Sequence, residues 1–302
     1  MRIRNIAISL LLSVGCSSSE NSTDEKRTID NTPSFHSSFD YRPEAPVDGK
    51  LLGIIELGYS GFNSFIVKMD NQDRWSLEKA SYSESYVGDD NVTFDYVLSE
   101  IEKFKSEMIE FGVNGNDINF VASSSAIRNQ KIVDIAEQLR RLDIGLITVS
   151  ADQEGRYAFD ATLPKDLKKD AFMIDMGSGN TKVSWLEGNK VQTLETFGSR
   201  YQEIGITDQE ARIGIKEAVG QVPERNRSLC FMVGKIPFLL ASETNNRSAR
   251  YTILEPPNVY SFADVQSMAG LNLYDALWKE STISYVFDWD SNYSIGVLMN
   301  VN

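Results

Sequence analysis

Two acidic residues each end an apolar run and precede glycines, in the stretches IIELGYSGFNSFIV and MIDMGSGNTKVSW. In each stretch the acid, Glu56 or Asp175, is followed by one apolar residue, a glycine, small polar residues and a second apolar run. Glycines at such a turn let backbone N–H groups approach an anion, and a carboxylate nearby can bind an accompanying cation. The pattern is compatible with a phosphate site. The alternative is two ordinary turns in which each acid binds a backbone amide.

Three further charged residues could take part in phosphate chemistry. Glu154 follows a predicted strand and is expected in a polar loop, where its carboxylate could take a proton from water, although spacing alone favours a solvated surface acid. Arg128 ends the stretch SSSAIR and offers a planar fork for phosphate oxygens, beside the hydroxyl groups of Ser124 and Ser125. Lys182 lies in the second glycine stretch, where a second carboxylate would be expected.

The composition argues against several other chemistries. The 302 residues include a single histidine, His36, in a polar stretch, which argues against Ser-His-Asp and Cys-His nucleophiles and against histidine-rich zinc sites. A net charge of −13 argues against nucleic-acid binding, because the basic surface of that class is missing. A polyanionic substrate would therefore require a local patch of positive charge. Cys230 lies in an apolar run and is expected to be a buried structural thiol.

The N-terminal residues have the composition of an export signal. Arg2 and Arg4 precede the apolar run IAISLLLSV, and Cys16 then begins a strongly polar stretch. This arrangement resembles the lipobox of bacterial lipoproteins, in which Cys16 would carry the lipid, although Ser13 replaces the usual larger aliphatic residue. A plain cleaved signal with a chance cysteine is the alternative. We expect a protein of the bacterial cell envelope that is lipid-anchored, at the outer membrane or facing the periplasm.

The elements that must position these residues follow an α/β pattern. From Leu51 the order β-β-β-α-β-α-β is expected, followed by three short strands, a helix capped by Thr207 or Asp208, a strand, a long apolar helix and a last strand. The two acid–glycine stretches begin the two halves, so we predict two duplicated lobes that face a central cleft. The predicted boundaries are 1–16 for the signal and lipobox, 17–49 for a disordered tether, 50–165 for the first lobe and 166–302 for the second.

Five stretches, in this order and spacing, resemble the exopolyphosphatase/guanosine-pentaphosphate phosphohydrolase (Ppx/GppA) family of the actin-like ATPase superfamily. They are IIELGYSGFNSF, VASSSAIRNQK, VSADQEGRYAF, MIDMGSGNTKV and ADVQSMAGLNLYDAL, and the resemblance covers nearly the whole chain from Leu51 onward. The resemblance implies an α/β fold of two RNase H-like lobes. It also implies hydrolysis of a phosphoanhydride, either polyphosphate or a nucleotide phosphate, by water that a carboxylate activates.

The resemblance also implies roles for individual residues. Glu154 matches the catalytic base, and Asp175 and Glu56 match acids near a divalent cation, Mg²⁺ or another. The expected phosphate contacts are Gly58, Tyr59, Ser60, Gly61, Ser124, Ser125, Arg128, Gly177, Ser178, Gly179, Asn180 and Lys182. Arg156 is expected to be structural and to pair near Glu154. Lys235 is interpreted either as a compensating phosphate contact or as a surface residue.

Departures from the family pattern cluster at this site. Lys182 replaces a family Glu that helps to hold the metal, Tyr59-Ser60-Gly61 replaces Ser-Asn-Ser, and Ser178 and Asn180 alter the second loop. The Lys182 ammonium could substitute for the cation, or it could pair with Asp175 and block the metal.

Three functions are therefore considered. The first, which the sequence and the resemblance favour, is an extracytoplasmic, lipid-anchored phosphoanhydride hydrolase. The second, its alternative, is a protein that binds polyphosphate, a nucleotide or another anion without turnover. The third, an envelope-assembly role with an empty cleft, has no positive support. The expected partner is polyphosphate or a small phosphate compound, with no nucleic acid and with membrane contact through the N-terminal lipid only. A homodimer is among the oligomeric states considered.

Overall fold

The strands of the chain form two sheets in a computed structural model that describes residues 39–58, 61–84, 93–244, 249–278 and 283–301. Within these ranges the first sheet contains β1 (Lys50–Leu57), β2 (Gly61–Met69), β3 (Trp75–Glu84), β4 (Ile118–Ala122) and β5 (Leu146–Thr148). The second contains β6 (Phe172–Met176), β7 (Asn180–Glu187), β8 (Lys190–Phe197), β9 (Leu229–Val233), β10 (Tyr251–Ile253) and β11 (Ser284–Asp288). The described helices are α1 (Phe94–Phe111), α2 (Gln130–Arg141), α3 (Ala151–Thr162), α4 (Asp208–Gly220), α5 (Lys235–Glu243), α6 (Val265–Trp278) and α7 (Tyr293–Val301).

The two sheets have the same strand order. The first runs β3-β2-β1-β4-β5, and the second runs β8-β7-β6-β9-β11 with β10 added at its edge. In each sheet the opening strand pairs antiparallel with the strand that follows it, and parallel with the strand that follows the first helical connection. The predicted α/β fold of two duplicated lobes is thereby confirmed.

Helices cover both outer faces and also fill the space between the sheets. Apolar side chains of α1 and α2 pack on one face of the first sheet, and those of α4 and α6 pack on one face of the second. The inner faces of both sheets share one apolar cluster with α3 and α7. Contact between these two helices is close, because a Cβ added at Gly296 would lie 2.0 Å from the carbonyl oxygen of Tyr157. The two helices therefore join the lobes, so a residue on α3 can reach both.

Four described helices and strands differ from the sequence prediction, namely α3, α5, α7 and β10. The sequence of α3 was interpreted as a polar loop after β5. The helices α5 and α7 and the strand β10 were not predicted, because each is short and the two helices are largely apolar, so neither shows a helical period of polar and apolar residues. The helix predicted from Thr207 or Asp208 begins as expected, with Thr207 as N-cap and Glu210 completing a capping box.

Residues 39–49, which the sequence assigns to a disordered tether, pack against the folded body. The ring of Phe39 lies 5.4 Å from that of Phe231 and 5.3 Å from that of Tyr251, and the backbone N–H of Val47 donates to Asp70. The prediction of disorder is corrected for this part, because its aromatic side chains bury apolar area on the second sheet. The predicted signal, Cys16 and the rest of the tether lie outside the described residues. No helix in the described part is both long and apolar enough to cross a bilayer.

Candidate functional site

The acids of the two glycine stretches occupy equivalent positions in the two sheets. Glu56 on β1 lies opposite Asn63 on β2, and Asp175 on β6 lies opposite Lys182 on β7. Each acid therefore faces a residue seven positions later in the chain. Both acids are buried, at 5% and 7% exposure, and the side-chain amide of Asn63 donates to Glu56 at 3.0 Å. The duplication therefore extends to the site, where each acid faces a polar residue at the equivalent position of the next strand.

The first turn of α3 brings Glu154 to the same place. Ser150 caps the helix and Gln153 completes a capping box, so the helix begins at a defined residue. At Gly155 an added Cβ would lie 2.3 Å from Cγ2 of Thr193, so the absence of a side chain lets α3 pack directly on β8. Glu154 is 3% exposed. The prediction that it lies in a polar loop is corrected, because the capping box starts the helix three residues earlier.

Both carboxylate oxygens of Glu154 have partners. Lys182 donates from Nζ to Oε1 of Glu154, and the backbone N–H of Ser124 donates to Oε2 at 2.7 Å. The same Lys182 Nζ lies 3.8 Å from Oδ2 of Asp175. Lys182 is 1% exposed, so its ammonium is buried between two carboxylates. A buried ion pair of this kind depends on each partner, because removal of one leaves an uncompensated charge.

Burial and these neighbours shift the pKa values of the cluster. Burial raises the pKa of Glu56 to about 7, with the charges of Glu154 and Asp175 adding to the effect and the Asn63 amide opposing it. Burial raises the pKa of Asp175 to about 6, although Lys182 opposes this shift. For Lys182 burial alone would lower the pKa, but the carboxylates of Glu154 and Asp175 outweigh it and raise the pKa above its ordinary value. The lysine is therefore a permanent cation here.

The predicted divalent cation does not fit this arrangement. Among the described residues no three of His, Cys, Asp and Glu are grouped so that they could hold a metal ion. Lys182 occupies the space between Glu154 and Asp175 that a cation would need, while Glu56 is held by Asn63. The expected metal contacts of Asp175 and Glu56 are corrected accordingly, because an ammonium already neutralises the acids around it.

The two glycine loops are closed by their own backbone bonds. The N–H of Gly58 donates to the carbonyl of Gly61 at 2.8 Å, and the N–H of Gly177 donates to that of Asn180 at 3.1 Å. These two N–H groups therefore serve the turns, whereas the sequence predicted phosphate contacts for them. Carbonyls of the second loop, at Gly177 and Ser178, accept from the residues that follow β8.

Gly198 lets the end of β8 pack under the second loop. A Cβ added there would lie 2.6 Å from the carbonyl carbon of Gly179. The predicted phosphate contacts Tyr59 and Ser60 lie outside the described residues.

A second polar group joins the lobes beside this cluster. The Asn180 side-chain amide donates to Oγ of Ser124 at 3.1 Å and to Oε1 of Glu195 at 2.7 Å. Arg128, from the short helical turn after β4, donates to the same Oε1 of Glu195. Ser125 lies apart from these bonds and pairs its hydroxyl with that of Ser123. The structure thus gathers the predicted residues Ser124, Arg128, Asn180 and Lys182 around two carboxylates.

Three residues of this region were missed from the sequence. Asn63 could have been found from the seven-residue spacing that also separates Asp175 from Lys182. Glu195 could have been found from the hairpin of β7 and β8, whose register places it opposite Lys182. Tyr293 had no signal, because α7 was not predicted. Burial first, and then the charges of Glu56 and its neighbours, raise the pKa of Tyr293, so α7 reaches the cluster.

Two further cations lie outside the cluster. Arg156 pairs with Asp152 on the exposed side of α3, which corrects the expected pairing near Glu154. Lys235 begins α5 and is exposed, in agreement with the interpretation as a surface residue.

A cavity of about 250 Å³ also lies away from the cluster. It is lined by Lys169, Asp170, Leu186, Gly188 and Arg225. Gly188 lies at the hairpin end of β7 and β8, roughly 20 Å along the strand from Lys182. The cavity is therefore separate from the predicted ligand site.

Comparison with solved structures agrees with this architecture. The Aquifex aeolicus member of the Ppx/GppA protein family matches with a TM-score of 0.62 and 16% identity, over 83% of this chain and 97% of that one. An exopolyphosphatase from Cytophaga hutchinsonii matches with a TM-score of 0.65 and 15% identity, over 84% of this chain and 99% of that one. No family model and no curated protein matches the chain. The likeness shows that the chain has the two-lobed fold of Ppx/GppA phosphatases, and at these identities it shows the fold alone.

Proposed function

We propose that this protein binds a phosphate compound between its two lobes, with the Lys182 ammonium in the place of a divalent cation. The observation that carries the proposal is the position of Lys182, buried between Glu154 and Asp175. Lysine binds phosphate as a compact point charge without any metal. The Ppx/GppA-like fold supports a phosphate compound as the ligand, because the matched structures include an Aquifex aeolicus Ppx/GppA phosphatase and an exopolyphosphatase.

The ligand class is a phosphoanhydride, either polyphosphate or a nucleotide phosphate. Arg128, Asn180 and Ser124 meet beside the buried lysine and together offer a guanidinium fork, an amide and a hydroxyl group. Such a set of donors matches the several oxygens of linked phosphates. Nucleic acid is not proposed, because the net charge of −13 opposes binding along a phosphate backbone.

The occupied carboxylate of Glu154 favours binding without turnover. A general base must contact the attacking water, whereas the Glu154 side chain is only 4% exposed and its charge is already paired with Lys182.

Hydrolysis is the second candidate. It is supported by the position of Glu154, which lies in the stretch that resembles the family's base and close to the cation that would neutralise a phosphate. Water would reach Glu154 only after the surrounding side chains opened a path, because this side chain is 4% exposed.

Calorimetric titration of the full chain in mild detergent with tripolyphosphate tests the binding proposal. We expect saturable binding that chelation of divalent ions with EDTA leaves unchanged, and weaker binding by a Lys182→Gln variant. A Lys79→Gln variant is the matched control, because Lys79 forms an exposed pair with Glu107 outside the site. Absence of binding to tripolyphosphate, ATP and longer polyphosphate would contradict the proposal.

Phosphate release distinguishes the two candidates. The chain is incubated with polyphosphate and with ATP, and a Glu154→Gln variant is the control. Release by the native chain above that of the variant establishes hydrolysis, whereas equal release, together with binding, establishes a binding protein.

We also propose that Cys16 carries the lipid that anchors the protein in the cell envelope. The proposal is supported by the basic start, the apolar run and the sharp change to a polar stretch at Cys16. Metabolic labelling with a palmitate analogue in a bacterial host should label the native chain and leave a Cys16→Ala variant unlabelled. Equal labelling of both chains would contradict it.

A further inference from the structure

The Glu195 carboxylate accepts hydrogen bonds from the donors that a phosphate ligand would use. We propose that Glu195 is an internal competitor of that ligand, and that a phosphate compound binds only when it displaces the Glu195 side chain. This inference rests on the proposed function. Glu195 would thereby set how strongly an anion must interact with the donors before it can bind.

The register of the second sheet places Glu195 at the centre of the donors. On β8 it lies directly opposite Lys182 of β7, and its negative charge contributes to the raised pKa of that lysine. Its Oε1 atom accepts from the Asn180 amide at 2.7 Å and from the Arg128 guanidinium. Three of the predicted phosphate contacts therefore act on one carboxylate group.

A carboxylate and a phosphate compete for such donors. Both anions accept charge-assisted hydrogen bonds from an arginine fork, so either can occupy the place next to Arg128. Both cannot occupy it together, because two negative charges within contact distance repel each other. A ligand phosphate must therefore move Glu195 away before it can contact Arg128 and Asn180.

Of the acids at this site, Glu195 is the one whose side chain can leave. Its side chain is 31% exposed and that of Arg128 is 57% exposed, so water can solvate the carboxylate once it turns outward. The side chains of Glu154 and Asp175 are only 4% and 10% exposed, so neither can be solvated without opening the fold.

Displacement of Glu195 weakens the binding of every phosphate ligand alike, so the ligands that still bind are those with further contacts. A single phosphate regains little more than the two hydrogen bonds that the carboxylate gives up. A chain of linked phosphates adds contacts with further donors, such as the Lys182 ammonium and the Ser124 hydroxyl. We therefore expect tripolyphosphate to bind much more tightly than inorganic phosphate.

Titration of three full-length chains with inorganic phosphate and with tripolyphosphate tests the inference. They are the native chain, Glu195→Gln and Glu187→Gln. The last is a charge-matched control, since Glu187 is exposed at the hairpin end of β7. We expect Glu195→Gln to bind both probes about tenfold more tightly than the other two, because the competing charge is gone.

Each outcome separates the inference from the proposed function. Equal affinity of all three chains, or an equal gain in both variants, overturns the competition by Glu195 and leaves phosphate binding standing. Absence of binding in all three overturns phosphate binding, and the inference with it. An Arg128→Gln substitution added to Glu195→Gln should remove the gain, and a gain that survives it also overturns the inference. If thermal unfolding shows that Glu195→Gln is misfolded, Glu195→Asp replaces it, because the shorter side chain loses reach to Arg128.

Discussion

Lys182 has a structural task, and in the proposed function the same side chain also binds the ligand. Its ammonium neutralises Glu154 and Asp175, which would otherwise be two carboxylates buried side by side. The same charge is the strongest attraction for a phosphate within the cluster. Substitution of this residue therefore affects folding as well as binding, and the two effects have to be measured separately.

A Lys182→Met substitution should destabilise the fold by about 3 kcal/mol, because it leaves buried carboxylates without a cation. The free energy of unfolding from urea titration at pH 7.5 measures the effect. A Lys79→Met control should change it by less than about 0.5 kcal/mol, since that pair is exposed. A Glu154→Gln substitution added to Lys182→Met should restore part of the loss. A loss no larger than that of the control would show that the buried pair is unimportant.

A Lys182→Glu substitution should create affinity for a divalent cation. It would place a third carboxylate next to Glu154 and Asp175, and carboxylate oxygens are the ligands that Mg²⁺ and Mn²⁺ prefer. Calorimetric titration with Mn²⁺ measures the gain, and the native chain serves as the reference. Unchanged metal affinity would refute the view that Lys182 stands in the place of a cation.

Fold stability should fall as pH rises from about 4.5 to 7. Burial raises the pKa of Glu56 to about 7 and that of Asp175 to about 6, so the folded state holds protons that the unfolded chain releases near pH 4. The stability that these two groups contribute is therefore complete below their unfolded pKa values, and its loss levels off above pH 7. A Glu56→Gln variant should flatten this dependence and gain about 2–3 kcal/mol at pH 8 over the native chain.

Urea titrations at pH 5, 6, 7 and 8 check this dependence. A Glu102→Gln variant, changed on the exposed face of α1, is the control and should follow the native curve. Stability of the native chain that rises steadily over this range would contradict the burial of a protonated carboxyl group.

The helix α3 carries the site because its first turn can approach the second sheet closely. A Gly155→Val substitution should destabilise the fold by about 1–3 kcal/mol, since its Cβ would lie 2.3 Å from Cγ2 of Thr193. A Thr193→Ser substitution should recover part of the loss by removing that methyl group. Gly220→Ala, at the end of α4, is the control. No atom lies within 4 Å of its added Cβ, so its stability should be equal or slightly higher. Urea titration of the three variants and the native chain measures these changes, and equal effects of the two glycine substitutions would contradict the close packing.

The elements were largely predictable from the sequence, whereas the contacts of the site were not. Strands such as MIDM and the helix after Thr207 follow local rules of periodicity and capping, so their patterns are enough to predict them. The helix α7 escaped prediction because its residues are apolar on all sides, which reflects burial between the lobes rather than a local pattern.

At the site, the sequence predicted several of the residues that meet but not what they bind. The position of Lys182 opposite Asp175 follows from the hairpin that begins at the second glycine stretch. Its bond to Glu154 depends on how α3 lies across β7 and β8, and that position is set by packing over long sequence distances. The bond between Arg128 and Glu195 likewise joins two lobes, and periodicity within either lobe carries no information about it.

Across the whole molecule, Arg250 ties the edge of the second sheet to the first. It forms two hydrogen bonds with the buried Asp288, at 2.9 and 3.0 Å, and its guanidinium lies 4.2 Å from the ring centre of Trp75 on β3. Lysine cannot reproduce either the paired hydrogen bonds or the stacking. The lobes are therefore held together at a point separate from the polar cluster.

An Arg250→Lys substitution should lower the free energy of unfolding by about 2 kcal/mol, as one hydrogen bond and the stacking are lost. Arg42→Lys is the control and should have no effect, because Arg42 and its partner Asp40 are almost fully exposed. Urea titration of both variants gives the comparison. Equal stability of both variants would show that the link to Trp75 contributes nothing.

The packing of Phe39 on the second lobe also has a mechanical consequence. The chain touches Phe231 and Tyr251 before it enters β1, which belongs to the first lobe and is hydrogen-bonded on both sides, to β2 and β4. Tension applied to the chain ahead of Phe39 would first peel these rings from the second lobe. Only then would it reach β1, which has to slide against two neighbours at once, so that many hydrogen bonds break together. Pulling from that end would therefore first break a few aromatic contacts, while the polar cluster stays intact.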